Sequence, residues 1–125
     1  MPQTKATIVV LADPRGGEDA LGRLFNALAV TYDFKQRNAD VRLLFQGAGT
    51  RWSGVVTNPE HPAHALYRAV EDKVLGVSSG CADVFEARAE AESHGFAFLG
   101  ENAVPGTSGL PSLASYAAEG PVVTF

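Results

Sequence analysis

This chain has little of what usually announces chemistry. Its 125 residues include one cysteine, one tryptophan and one methionine. A single cysteine excludes an internal disulfide framework and makes a reducing cytoplasm the expected compartment. Cations are sparse: ten Lys and Arg against fourteen Asp and Glu give a formal net charge of −4, with no basic block. Phosphate neutralisation needs clustered Lys and Arg, so no nucleic-acid partner is expected. Long apolar runs are missing too. The first, residues 6–12, is too short for a membrane span and lacks a signal-peptide cleavage pattern, so neither a membrane partner nor a targeting segment is expected. There is no internal repeat and no low-complexity tract. What is there is ordinary for a folded protein, 46% hydrophobic and 19% charged. The length fits one domain, 1–125, with room for a real core.

Periodicity supplies the architecture. Residues 6–12 (ATIVVLA) are apolar on both faces and β-branched, the pattern of a strand covered on both sides. Asp13, Pro14, Arg15, Gly16 and Gly17 break it, and Leu21, Leu24, Phe25, Leu28 and Tyr32 then recur at helical spacing until Arg37 and Asn38. Residues 41–45 read as a second strand. The longest irregular stretch, 47–59, follows and holds the lone Trp52, expected to fill a subunit contact or the domain's own core. A helix from about Pro62 turns Leu66, Ala69 and Val70 inward, and 74–77 form a third strand. One helix is expected from near Cys81 to a stop at Gly95, with Glu86, Arg88, Glu90 and Glu92 as its solvated face. Residues 96–99 are a short fourth strand and 104–111 a loop. A last helix over 112–119, with Ser112 as N-cap, leads to a closing strand over 121–125.

Five strands alternating with four helices predict a parallel sheet with helices on both faces and right-handed crossovers. Ligands and reactive groups in such folds gather beyond the carboxyl ends of the strands. That edge should collect the loops 13–17, 46–59, 78–81 and 100–111.

Cys81 lies in the third of these loops, where a strand hands over to a helix. A thiol at a helix N-terminus meets the positive end of the helix dipole, which favours the reactive thiolate. The rival expectation is a small, inert apolar side chain. Ser79, Gly80 and Ala82 flank the thiol and would support it, the backbone N–H groups near Gly80 and Ala82 by hydrogen bonding. His61 and His64 fall on the same edge, and either could stabilise a thiolate or move a proton, or else open a helix as solvated residues. Arg15 and Arg51 could present positive charge to an anion or a persulfide, against simple surface solvation. Two histidines three apart plus one cysteine make an incomplete metal set, so no metal is expected. The loop at 13–17 lacks G-x-G-x-x-G and G-K-[ST], so no phosphate-bearing cofactor is implied. Gly76, Val77, Ser78, Ser79 and Gly80 match G-x-S-x-G, but the only later histidine, His94, should lie at the opposite edge of the sheet, which argues against a serine hydrolase.

The run Val77-Ser78-Ser79-Gly80-Cys81-Ala82-Asp83 resembles the DsrE/DsrF-like family of small sulfur-relay proteins, which carry a reactive cysteine at this turn after the third strand. The tail over 113–125 and the opening strand, Gly-containing turn and amphipathic helix are similar to the family as well, so the resemblance covers nearly the whole chain. Some relatives have a second cysteine three residues earlier. Ser78 stands there, which excludes a local dithiol mechanism. The resemblance implies a three-layer α/β/α sandwich with a five-stranded, mainly parallel sheet, flavodoxin-like in outline. It also implies a homo-oligomer, trimer or hexamer, with the cysteine near a subunit cleft. The expected function is a sulfur carrier or sulfurtransferase-like protein in which Cys81 accepts and donates a persulfide sulfur, with a protein donor and acceptor and no cofactor. The alternative is a non-catalytic protein of the same fold that binds a small ligand or serves assembly, its thiol inert.

Overall fold

The alternation of apolar strands and amphipathic helices closes into one parallel sheet in a computed structural model that describes residues 5–125. The strands are β1 (Lys5–Val10), β2 (Asp40–Phe45), β3 (Val74–Ser78), β4 (Phe98–Leu99) and β5 (Val122–Thr124), in the order β4-β3-β2-β1-β5. All four pairings are parallel, and Val10 pairs with Phe45, Phe45 with Val77, and Ser78 with Leu99. The carboxyl ends of the strands therefore form one edge. The helices are α1 (Gly17–Gln36), α2 (His64–Val70), α3 (Ser79–Val84), α4 (Arg88–Ser93) and α5 (Leu113–Glu119). None is long and apolar enough to cross a membrane.

Strand order explains the layers. The chain steps from β1 to β4 in one direction across the sheet, so right-handed crossovers put the connecting helices on one face. The step from β4 to β5 reverses direction and carries α5 to the other face. Side-chain alternation follows this division. Ala6, Ile8 and Val10 join Leu43, Phe45 and Val77 in a large core under Leu24, Ala27 and Leu28 of α1, Val70 of α2 and Ala91 of α4. Val9 and Leu44 point the other way, into a smaller core under Tyr116 of α5. The architecture is the expected three-layer α/β/α sandwich.

Several boundaries differ from the sequence expectation, each for a local reason. The expected helix from Cys81 to Gly95 is two helices. Helix α3 starts earlier, at Ser79, and ends in a left-handed residue, Glu86 at φ 55°, with the Ala87 N–H on the Ala82 carbonyl and the Glu86 N–H on that of Asp83. That is the Schellman closure, built here on a glutamate where glycine or asparagine is usual. The same closure ends α1 at Asn38 and α4 at Gly95, where the residue type had signalled it. Tyr32 leaves 39% of its surface exposed, because the buried stripe of α1 runs through Leu24, Ala27, Leu28 and Thr31 and has rotated past it. Helix α2 starts at His64, two residues beyond Pro62, and buries Tyr67 as well as Val70. Strand β4 is only two residues long. The stretch 47–59 is not irregular throughout: Gly47–Gly54 form a 3-10 helix that carries Trp52 into the core, where its indole N–H donates to the Ala12 carbonyl at 2.7 Å. Gly76 lets β3 meet its neighbour, because a Cβ there would lie 2.3 Å from the Ala97 carbonyl oxygen.

Candidate functional site

The four loops expected at the carboxyl edge do meet, through named polar contacts. Arg51, from the 3-10 helix Gly47–Gly54, donates to Asp13 after β1 at 2.9 Å and to the Phe85 carbonyl at the end of α3 at 3.1 Å. Its guanidinium also lies 5.4 Å from the centre of the Phe85 ring. On the other side of α3, Ser79 Oγ is 2.8 Å from Ser108 Oγ, and the Gly80 N–H donates to the Gly109 carbonyl at 2.7 Å. Helix α3 is thus held between the loop after β2 and the loop after β4.

Cys81 is the third residue of α3. Ser78, the N-cap, accepts the Cys81 backbone N–H at 3.3 Å. This satisfies one of the helix's unpaired first-turn donors and orders the turn that presents the thiol. The side chain is partly exposed, and its sulfur has no hydrogen-bond partner among the described residues. The Ser78 hydroxyl is therefore committed as a cap and is fully buried. His94 lines a cleft with Val74 and Leu75 at the start of β3, far from the carboxyl edge, so the G-x-S-x-G match has no histidine to serve it.

The neighbours proposed to support the thiol take other work. Ser79 is buried and bonds Arg88 and Ser108. The Gly80 N–H is taken by Gly109, so it cannot also serve a thiolate at Cys81. Ala82 is in the large core. His64 Nδ1 lies 2.8 Å from the Val56 carbonyl, and His61 Nδ1 accepts the Ala63 N–H at 3.1 Å. Neither histidine hydrogen-bonds Cys81. Arg51 is paired with Asp13 rather than free, and Arg15 bonds the same carboxylate through its Nε at 3.4 Å. The backbone N–H of Arg15, followed by the two guanidinium charges, holds the Asp13 carboxyl below its ordinary range. No three His, Cys, Asp or Glu side chains converge as metal ligands among the described residues.

Sequence reasoning missed the group that braces the thiol's helix. Arg88 is not part of a solvated face. It reaches back to Asp83 at 2.5 Å, to Ser79 Oγ at 2.7 Å and to the Ser79 carbonyl at 3.1 Å, and it lies 4.3 Å over the Phe98 ring. Ser108 Oγ donates to the other Asp83 oxygen at 2.7 Å. Hydrogen bonds from Arg88 and then Ser108 hold the Asp83 carboxyl below its ordinary value. In one continuous helix, residues 83 and 88 would face different ways. The break at Glu86 brings them together, and nothing in that glutamate announces the break. The small polar run Thr107-Ser108-Gly109 was the available sign of a loop built to hydrogen-bond. A cleft of about 400 Å³ between Gly80, Asp83, Val84 and 106–108 flanks α3 without including Cys81.

No family profile and no curated protein matches the chain. Among solved structures, the crystal structure of the ychN protein from E. coli is similar, with a TM-score of 0.59 at 19% sequence identity, over 98% of this chain and 100% of that one. At that identity the likeness is one of fold.

Proposed function

We propose that the protein is a sulfur carrier or sulfurtransferase-like protein of the DsrE/DsrF-like kind, working through Cys81. The observation that carries the reading is the thiol's setting. It is the chain's only cysteine, partly exposed, in the first turn of a capped helix beyond the carboxyl end of β3. The sequence resemblance at 77–83 and the overall likeness to the ychN protein support it.

The chemistry is two thiolate displacements with no net change of oxidation state. The Cys81 thiolate attacks the outer sulfur of a donor persulfide, the donor's S–S bond breaks, and the donor leaves as a thiolate. Cys81 then carries the persulfide. An acceptor thiolate attacks its outer sulfur, and Cys81 leaves as the thiolate again. First-turn backbone dipoles favour negative charge on sulfur in both steps. No cofactor takes part. Arg88, through Ser79 and Asp83, keeps the turn rigid and does not touch the reacting atoms.

Assembly into a trimer or hexamer belongs to the same reading. It rests on the sequence resemblance at 77–83.

Intact mass of the reduced protein after a persulfide donor tests the function. The expected gain is one sulfur, about 32 Da, reversed by reductant and absent in Cys81→Ser. No gain, under conditions that load a control thiol, would leave the inert-thiol alternative, a ligand-binding or assembly protein.

A further inference from the structure

A second cleft, on the carboxyl edge but away from Cys81, has walls and rim of a different character. It has a volume of about 450 Å³, inside the roughly 300–1,000 Å³ range of small-molecule sites. Leu21 of α1, Val55 and Trp52 form its apolar wall, and Arg15, Arg51 and His61 supply its polar groups. We propose that this cleft binds a small monocarboxylate with an aryl or short alkyl body.

The charge and hydrogen-bond inventory leads there. Two guanidinium groups share one carboxylate, Asp13, which leaves one positive charge in excess. The terminal nitrogens of Arg15 and the second terminal nitrogen of Arg51 have no partner among the described residues. His61 Nδ1 accepts the Ala63 N–H, so in the neutral ring the proton is on Nε2, which has no partner either. Burial lowers the His61 pKa and so favours that neutral ring. Its edge-to-face contact with Trp52, 6.1 Å between ring centres at 72°, fixes its orientation. No carboxylate side chain lines the cleft, and Asp19 in the first turn of α1 is paired with Arg23. The side chains at the rim are therefore donors only, above an apolar wall. A carboxylate satisfies them, an ammonium group satisfies none, and the apolar body of the ligand covers Leu21 and Val55. Arg51 also ties this cleft to the end of α3, but Cys81 plays no part in it.

Trp52 is the only tryptophan, so its fluorescence reports on this cleft directly. Phenylacetate is the probe, with phenylacetamide and benzylamine as neutral and cationic counterparts. A saturable change with a Kd of about 1 mM or tighter is expected for phenylacetate, a normal affinity for a ligand of that size. Arg15→Gln, an exposed substitution that spares the core, should weaken it by about five- to tenfold, the worth of one charged hydrogen bond at a surface. His61→Phe should weaken it while keeping the ring against Trp52, and Cys81→Ser should leave it unchanged. The proposal is overturned if no saturable change occurs up to about 20 mM, well above the expected Kd. Equal binding of the amide or amine would overturn it too, as would a change that tracks protein concentration instead of phenylacetate, which would make the cleft a contact between copies of the chain.

Discussion

Replacing Arg51 by methionine tests whether α3 is held from outside. The substitution keeps the methylene packing and removes every donor. Three contacts go: the hydrogen bond to the Phe85 carbonyl, the ion pair with Asp13, and the guanidinium over the Phe85 ring. The charged hydrogen bond is worth about 1.5–3 kcal/mol. The ion pair, with side chains 23% and 31% exposed, adds about 0.5–1 kcal/mol after solvent screening. The ring contact adds about 0.5 kcal/mol. Freeing a long ordered side chain returns roughly 1–2 kcal/mol. The net loss is about 2 kcal/mol, a fall in Tm of about 6–8 °C for a domain of this size. Unfolding in urea with the slope unchanged measures it. Because the contact ends on α3, the loss should also appear locally, as a faster reaction of Cys81 with a disulfide reagent under native conditions. A variant within about 0.5 kcal/mol of the parent, the range of an ordinary surface substitution, with an unchanged thiol rate, would refute the claim that Arg51 secures α3.

Two further predictions concern the same region. Glu86→Gly should stabilise the protein by about 0.5–1 kcal/mol, because an exposed glutamate at φ 55° bears a strain that glycine lacks; a loss in the urea midpoint would mean that the glutamate side chain does more than close the helix. Stability should fall with acid in two steps. The lowered His61 pKa makes its contribution complete above its ordinary value of 6.5 and lost as pH falls through the folded value. The lowered carboxyls of Asp13, Asp72 and Asp83 act in the same direction below their ordinary 3.8. Urea midpoints across pH should show the first step vanish in His61→Phe, and stability rising between pH 7 and 5 would contradict the sign.

The elements that were legible share one property, a local signal that tertiary packing did not overrule. The β-branched run of β1 is buried on both faces as its composition required. Asn38 and Gly95 ended α1 and α4 because those residues tolerate the left-handed turn the Schellman closure needs. Ser112 caps α5 through the Ser115 N–H, as its position before the helix suggested. The misreadings come where a residue is held against its preference. Glu86 breaks a helix that its neighbours' pattern would continue, and the glycine-rich segment Gly47–Gly54, which reads as loop, winds into a 3-10 helix that takes Trp52 into the core expected for it.

By itself the sequence determined the alternation of strands and helices, the parallel sheet that alternation demands, and the edge where loops and the single thiol would gather. Periodicity encodes which face of each element is apolar, and connection handedness limits how such elements join. Only the tertiary structure decided what surrounds that thiol. Arg88 turns back to Ser79 and Asp83, Ser108 arrives from the loop after β4, and Arg51 bridges Asp13 to Phe85. These partners are 5 to 38 positions apart in sequence, and most of their pairing depends on backbone paths that no local pattern records. Long side chains meet where loop geometry sends them, and that geometry is fixed only once the sheet has formed beneath.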